Sequence, residues 1–223
     1  MDKYKGNPAK FYLIVISGIV LYVALDALVQ SLPPHYSPIS QAESDLAVGE
    51  FGFIMTINFL LRGLLTLTFI FAFLRTLDIH GVNRSQFRAG TYLLGVWGAG
   101  ALTLAVFPTD VPEAPLSAHG EIHLVVALIA FIGGAFGTLA ISRKIGQIPV
   151  LSGLKRIAIA LSLLAVILCV IEVGLPLFAP HLSSRIGGLA ERLFLGSVLA
   201  WMGFVSAFFI RNIRLMKAMP NQA

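Results

Sequence analysis

Six long apolar runs decide what this chain can fold into: residues 11–30, 51–74, 89–107, 121–142, 157–179 and 191–210. Each is close to the roughly 20 residues that an α-helix needs to cross a hydrocarbon layer about 30 Å thick. In lipid, a backbone must satisfy its N–H and C=O groups internally, and runs this long and uniformly apolar do so as helices. Of the residues, 57% are hydrophobic and 12% charged, against about 25% charged in a soluble domain. The expected fold is all-α, a polytopic bundle of six transmembrane helices. No linker or low-complexity tract divides residues 1–223, which read as one membrane domain.

The basic tail Met1–Lys10 ahead of the first run also resembles a signal peptide. The run exceeds a signal's apolar core and carries no small-x-small cleavage site, so an uncleaved first helix is expected. The lone Cys169 allows no internal disulfide.

Lys and Arg set the orientation. Thirteen of them fall in the N-terminal tail, after the second run, after the fourth and in the C-terminal tail, whereas the other side has only Arg185 and Arg192. Both termini are therefore expected in the cytoplasm and the chain in the cell (inner) membrane. The same asymmetry explains a pI near 9.6 without nucleic acid. The expected partners are the lipid bilayer and a small-molecule or lipid ligand. The opposite, external side holds Glu43, Asp45, Glu50, Asp110, Glu113, Glu121 and Glu191, with His35, His119, His123 and His181.

Charges inside a span are costly and turn toward the bundle interior. Tyr22, Asp26 and Gln30 form one such stripe, Asn58, Arg62 and Thr66 a second, and Ser162, Cys169 and Glu172 a third. Arg62 falls near the midpoint of its run and is expected to pair with Asp26 or Glu172, the only acids within the spans apart from Glu121 and Glu191 at span starts. Small residues four apart, Gly95/Ala99/Thr103, Gly133/Gly137 and Gly196/Ala200, mark faces for close helix packing. Trp97 and Trp201 lie mid-helix, as core or lipid-facing side chains.

The segment between the third and fourth runs concentrates chemistry: Phe107-Pro108-Thr109-Asp110, then His119-Gly120-Glu121-Ile122-His123. Pro108, Pro112 and Pro115 stop one helix and stiffen the loop. Ser117 reads as the N-cap of the next helix, and Glu121 favours its start through the helix dipole. Histidines four apart share a helical face and suit one divalent metal such as zinc, with Asp110 as a third ligand and an open position for water. The bland alternative is a pair of hydrogen-bonded interfacial histidines. Asp110, His119 and His123 are expected to converge on one external polar site, with Glu191 and Arg192 beside it as supporting groups.

On Phe107-Pro108-Thr109-Asp110, Gly120 and His123, together with Asn58, Gly63 and Glu191-Arg192, the chain resembles an uncharacterised family of prokaryotic six-span membrane proteins, domain-of-unknown-function family nine-nine-eight. The resemblance implies the same architecture and no established activity. Three functions are compatible with the residues. The first is an accessory or binding module with an external acidic/histidine pocket. The second is a metal-dependent hydrolase at the outer surface. The third is a proton-coupled transporter using Asp26, Arg62 and Glu172, although the inner halves of all six runs are apolar.

Overall fold

The computed structural model describes residues 8–32, 36–111 and 114–218. His35, Pro112, Glu113 and most of the tail Met1–Lys10, used in the sequence reading, lie outside the described residues. Six α-helices make up the fold: α1 Ala9–Ser31, α2 Gly52–Ile79, α3 Arg88–Leu104, α4 Ala118–Lys144, α5 Lys155–Phe178 and α6 Pro180–Ala218. All but α3, which has 17 residues, are long and apolar enough to cross a membrane.

Each helix packs on the next, and α6 returns to α1, so the helices form a closed ring. Neighbours run antiparallel: Tyr12 near the start of α1 hydrogen-bonds Thr76 near the end of α2, at 2.9 Å. The interior is filled by large side chains, among them Phe69, Phe73, Trp97, Phe194 and Trp201, all buried. Trp201 also donates its indole N–H to Ser142 at 2.8 Å, which satisfies a polar atom that lipid would leave stranded. Both tryptophans are thus core residues.

The small-residue faces are used selectively. A Cβ at Gly133 or Gly137 would lie 2.7 Å from backbone atoms of α3, so α3 and α4 touch main chain to main chain. Gly196 faces open space and Gly95 meets only the tip of Ile70, so those two stripes are not packing seams. The close approaches of α3 use Gly90, Gly98 and Gly100 instead.

Two helix boundaries differ from the sequence expectation in ways that matter. Helix α2 continues past residue 74 to Ile79, because Arg75 and Asp78 lie at its polar end and nothing there breaks a helix. Arg62 is therefore about 15 Å along a helix about 42 Å long, at 1.5 Å per residue from Gly52, and not at its middle. The stretch 180–190, expected as a loop, is the start of α6. Pro180 is acceptable at a first helical position, where its missing N–H costs nothing. Only Ala179 separates α5 from α6.

The ends of the ring are closed in two ways. At the basic end, residues 145–154 form two short 3₁₀ segments, Ile145–Gln147 and Pro149–Leu154. Ile145, Ile148, Leu151 and Leu154 recur every third residue, the repeat that stacks side chains on one face of a 3₁₀ helix. All four are buried against the core. At the other end, the loop end, the α1–α2 connection (36–51) folds over the ring, with a 3₁₀ turn at Glu43–Ala47 whose Leu46 is buried.

Candidate functional site

The loop end carries the only charged groups among the described residues that are almost wholly enclosed: Glu43 and Arg62, each 2% exposed, and Glu191 at 7%. Arg62 points inward from α2 because that face of the helix is the buried one, shared with Asn58 and Thr66. Its guanidinium lies over the rings of Trp97 (4.8 Å to the centroid) and Phe59 (5.3 Å). Such stacking compensates a cation for part of its lost hydration.

The carboxylate facing Arg62 comes from the loop. Glu43 Oε2 stands 3.7 Å from Arg62 Nη1, while Glu43 Oε1 accepts a 2.6 Å hydrogen bond from the Tyr22 hydroxyl. Arg62 Nη1 also reaches the Tyr22 oxygen at 3.5 Å, and Asn58 donates to the Tyr22 carbonyl at 3.2 Å. The expected pairing of Arg62 with Asp26 or Glu172 is thus corrected. Asp26 accepts from Gln30 one turn along α1, and Glu172 lines a cavity beside Arg62 without bonding it. The residue that pairs lies outside every apolar run and is brought in by the fold of the connection. Burial pushes the Glu43 carboxyl up to about 8 against the opposing pull of Arg62.

Two residues opening the membrane part of α6 hold the connection in place. Glu191 Oε2 accepts the backbone N–H of Glu43 at 2.7 Å. Arg192 Nη1 donates to the carbonyls of Pro38, Gln41 and Gly188 at 3.1–3.2 Å, and Nη2 donates to the Tyr36 hydroxyl. The Leu189 N–H donates to Ile39 O at 2.9 Å. A Cβ on Gly188 would come within 2.0 Å of the Gln41 carbonyl oxygen, so the loop lies directly on the α6 backbone.

The segment between α3 and α4 divides. Asp110 accepts from the Ser117 N–H (2.8 Å) and hydroxyl (2.6 Å), while Ser117 caps α4 by accepting from the Gly120 N–H at 3.2 Å. Those bonds hold Asp110 below its usual carboxylate range. A Cβ at Gly120 would collide with Asp110 Oδ2 at 1.9 Å, so this position needs glycine. His119 is exposed and packs edge-on against Phe107, with centroids 5.5 Å apart. His123 is buried, and its Nδ1 lies 2.8 Å from the Phe107 carbonyl. A carbonyl only accepts, so Nδ1 carries a proton, and in the neutral ring Nε2 is then the acceptor.

Of the five residues expected to converge, His123 and Glu191 share one cavity. Asp110 and His119 sit on the rim around the α4 cap, and Arg192 faces the connection. Among the described residues no group of three His, Cys, Asp or Glu side chains is placed to hold a metal ion. Asp110 is spent on the cap and His123 Nδ1 on Phe107, although His123 Nε2 retains a ligand's lone pair.

The cavity has a volume of about 140 Å³. Arg62, His123, Glu172 and Glu191 supply its ionisable wall, and Phe59, Phe131, Leu104, Leu124 and Ala127 its apolar one. A model of the family described as a protein of unknown function, DUF998, matches residues 16–207. The chain belongs to that family. No curated protein and no solved structure matches it. The DUF998 match takes in the whole loop-end site, from Tyr22 through Arg192.

Sequence reasoning missed Glu43 as a member of the site. One signal was available: the connection before α2 is longer than the 2–8 residues usual between bundle helices, and such loops are functional or docked. Tyr36, Leu46 and Phe51 give it the apolar side chains for docking, and Tyr36 and Phe51 pack against the Leu46 cluster.

Proposed function

We propose that this chain is a six-span membrane binding module, and that the polar cavity beneath the α1–α2 connection is its ligand site. The observation that carries this reading is Arg62, 2% exposed on the cavity wall, with its Nε lacking any hydrogen-bond partner. A guanidinium offers five N–H donors, and a buried one left unfilled at Nε favours a ligand that fills it. Below Arg62 the described interior is aromatic and aliphatic, with hydroxyls but no buried Asp, Glu, His, Lys or Arg. The buried charged groups are therefore confined to the loop-end half of the bundle, which suits a binding site better than a transport path. In this reading both termini lie in the cytoplasm of a cell-membrane protein, and the cavity opens to the outside.

Cysteine accessibility tests the reading in a Cys169→Ser background. Ala127→Cys, on the cavity wall, and Ser40→Cys, on the connection, should react with a small impermeant thiol reagent applied outside. Ala158→Cys, buried near the basic end, and Asn83→Cys should stay unmodified. An unreactive Ala127→Cys would remove the binding-site reading. Labelling of Asn83→Cys with protection of Ser40→Cys would invert the orientation.

A further inference from the structure

Resting on that reading, we infer that the cavity takes the zwitterionic, amine-bearing headgroup of a membrane lipid, entering sideways between α4 and α5. Charge comes first. Arg62 is faced by Glu43, which leaves Glu172 and Glu191 as two carboxyl groups on the cavity wall with no ion-pair partner among the described residues. Arg192, beside Glu191 in sequence, is committed to the carbonyls of the connection and to Tyr36. Glu172 Oε2 is buried without a hydrogen-bond partner. Carboxylates in such surroundings call for protons or for a cationic donor, and an ammonium with three N–H groups is the donor that fits two acids.

Arg62 supplies the opposite end of the ligand. Its Nη1 is the only nitrogen with a partner, and its Nε is buried and unfilled, so an anionic oxygen next to the ammonium would complete it. Guanidinium and phosphate match in geometry as well as charge. One wall of the cavity thus suits an ammonium and another suits a phosphate. The volume of about 140 Å³ accommodates about five water-sized groups at roughly 30 Å³ each. That holds a headgroup and no acyl chains.

The entrance indicates where the chains go. Leu124 is both cavity wall and bundle surface, at 55% exposure, and Glu172 is likewise partly exposed. Leu124 lies about 9 Å from the start of α4 and Glu172 about 9 Å from the end of α5, at 1.5 Å per residue. That depth is where headgroups meet acyl chains, about 5–10 Å into the interface. A lipid there can turn its headgroup inward and leave its tails against the exposed flanks Leu128, Ile167 and Ile171.

Titration of the purified chain in detergent with short-chain phosphatidylethanolamine, phosphatidylcholine and free phosphoethanolamine tests the inference, read by tryptophan fluorescence because Trp97 covers Arg62. Phosphatidylethanolamine should bind at least tenfold more tightly than phosphatidylcholine, whose trimethylated nitrogen donates no hydrogen bond. Glu172→Gln should erase that preference, and Leu124→Trp should block the lipid while sparing free phosphoethanolamine. Equal binding of the two lipids to wild type would overturn the inference while leaving a binding site in place. So would a preference unchanged in both variants, or binding of the free compound alone. Reactive Ala127→Cys with no response to any of the three compounds would overturn the ligand class but not the cavity.

Discussion

The two ends of the bundle are closed by opposite chemistries. At the basic end, Ile145, Ile148, Leu151 and Leu154 fill the ring with aliphatic side chains on a three-residue repeat. At the loop end the connection reaches in with a carboxyl group, which meets Tyr22, Arg62 and, through its backbone, Glu191. An aliphatic closure has no directional requirement and is stable over a wide range of conditions. A polar closure in low dielectric depends on each partner being present and correctly protonated. The first is a seal and the second is a latch.

The contrast breaks most visibly at Arg62. Burial raises Glu43 from 4.5 to about 8, so between these values the folded chain holds a proton that the unfolded chain has released. That stabilisation is complete below 4.5 and is lost as pH rises through 8. Arg62→Leu should therefore cost about 3–5 kcal/mol at pH 9, where an ionised Glu43 loses its buried partner. At pH 6 a proton neutralises Glu43 and the cost should be clearly smaller. Unfolding midpoints in detergent at the two pH values measure the difference, and equal losses would show that Glu43 and Arg62 are not coupled.

A change at the seal should be large yet insensitive to pH. Leu151→Ala should cost about 3 kcal/mol, inside the range for emptying a buried leucine site, with the same loss at pH 6 and 9. A loss that varied with pH would mean that the basic end also contains a titrating group. The smallest effect is expected at the rim: Ser117→Ala removes the cap of α4 and should cost about 1 kcal/mol. Amide exchange in the first turn of α4 should rise, while exchange across 145–154 stays unchanged. If protection falls at both ends, they do not act separately.

Much of the architecture was legible in the sequence because hydrophobic length is a strong constraint in lipid. Six helices stand where six apolar runs stand, and the Ser117 cap was readable from residue type alone. The start of α6 was not, since Pro180–Leu189 is less apolar than a span and reads as a turn until its docking surface is known. The candidate site was legible by halves. His123, Glu191 and Arg62 lie within helices whose inward faces periodicity reveals. Glu43 lies in a connection with no periodicity, and its place depends on Arg192 and Gly188, about 150 residues away in the chain. Asp110 was expected as a ligand converging with His119 and His123, and in the fold its hydrogen-bond partner is Ser117 rather than a histidine.

Arg192 grips residues 37–41 through the main-chain carbonyls of Pro38 and Gln41, and its side-chain hold on the connection is the Tyr36 hydroxyl just before them. Main-chain recognition is blind to residue identity, so the outward-facing residues of 37–41 can be exchanged without loosening the clasp. Gly188 has no such freedom, because any Cβ there would strike the Gln41 carbonyl. The surface that the connection presents can therefore be rewritten for a different environment while the clasp underneath stays the same, with Tyr36 and one glycine as its fixed points.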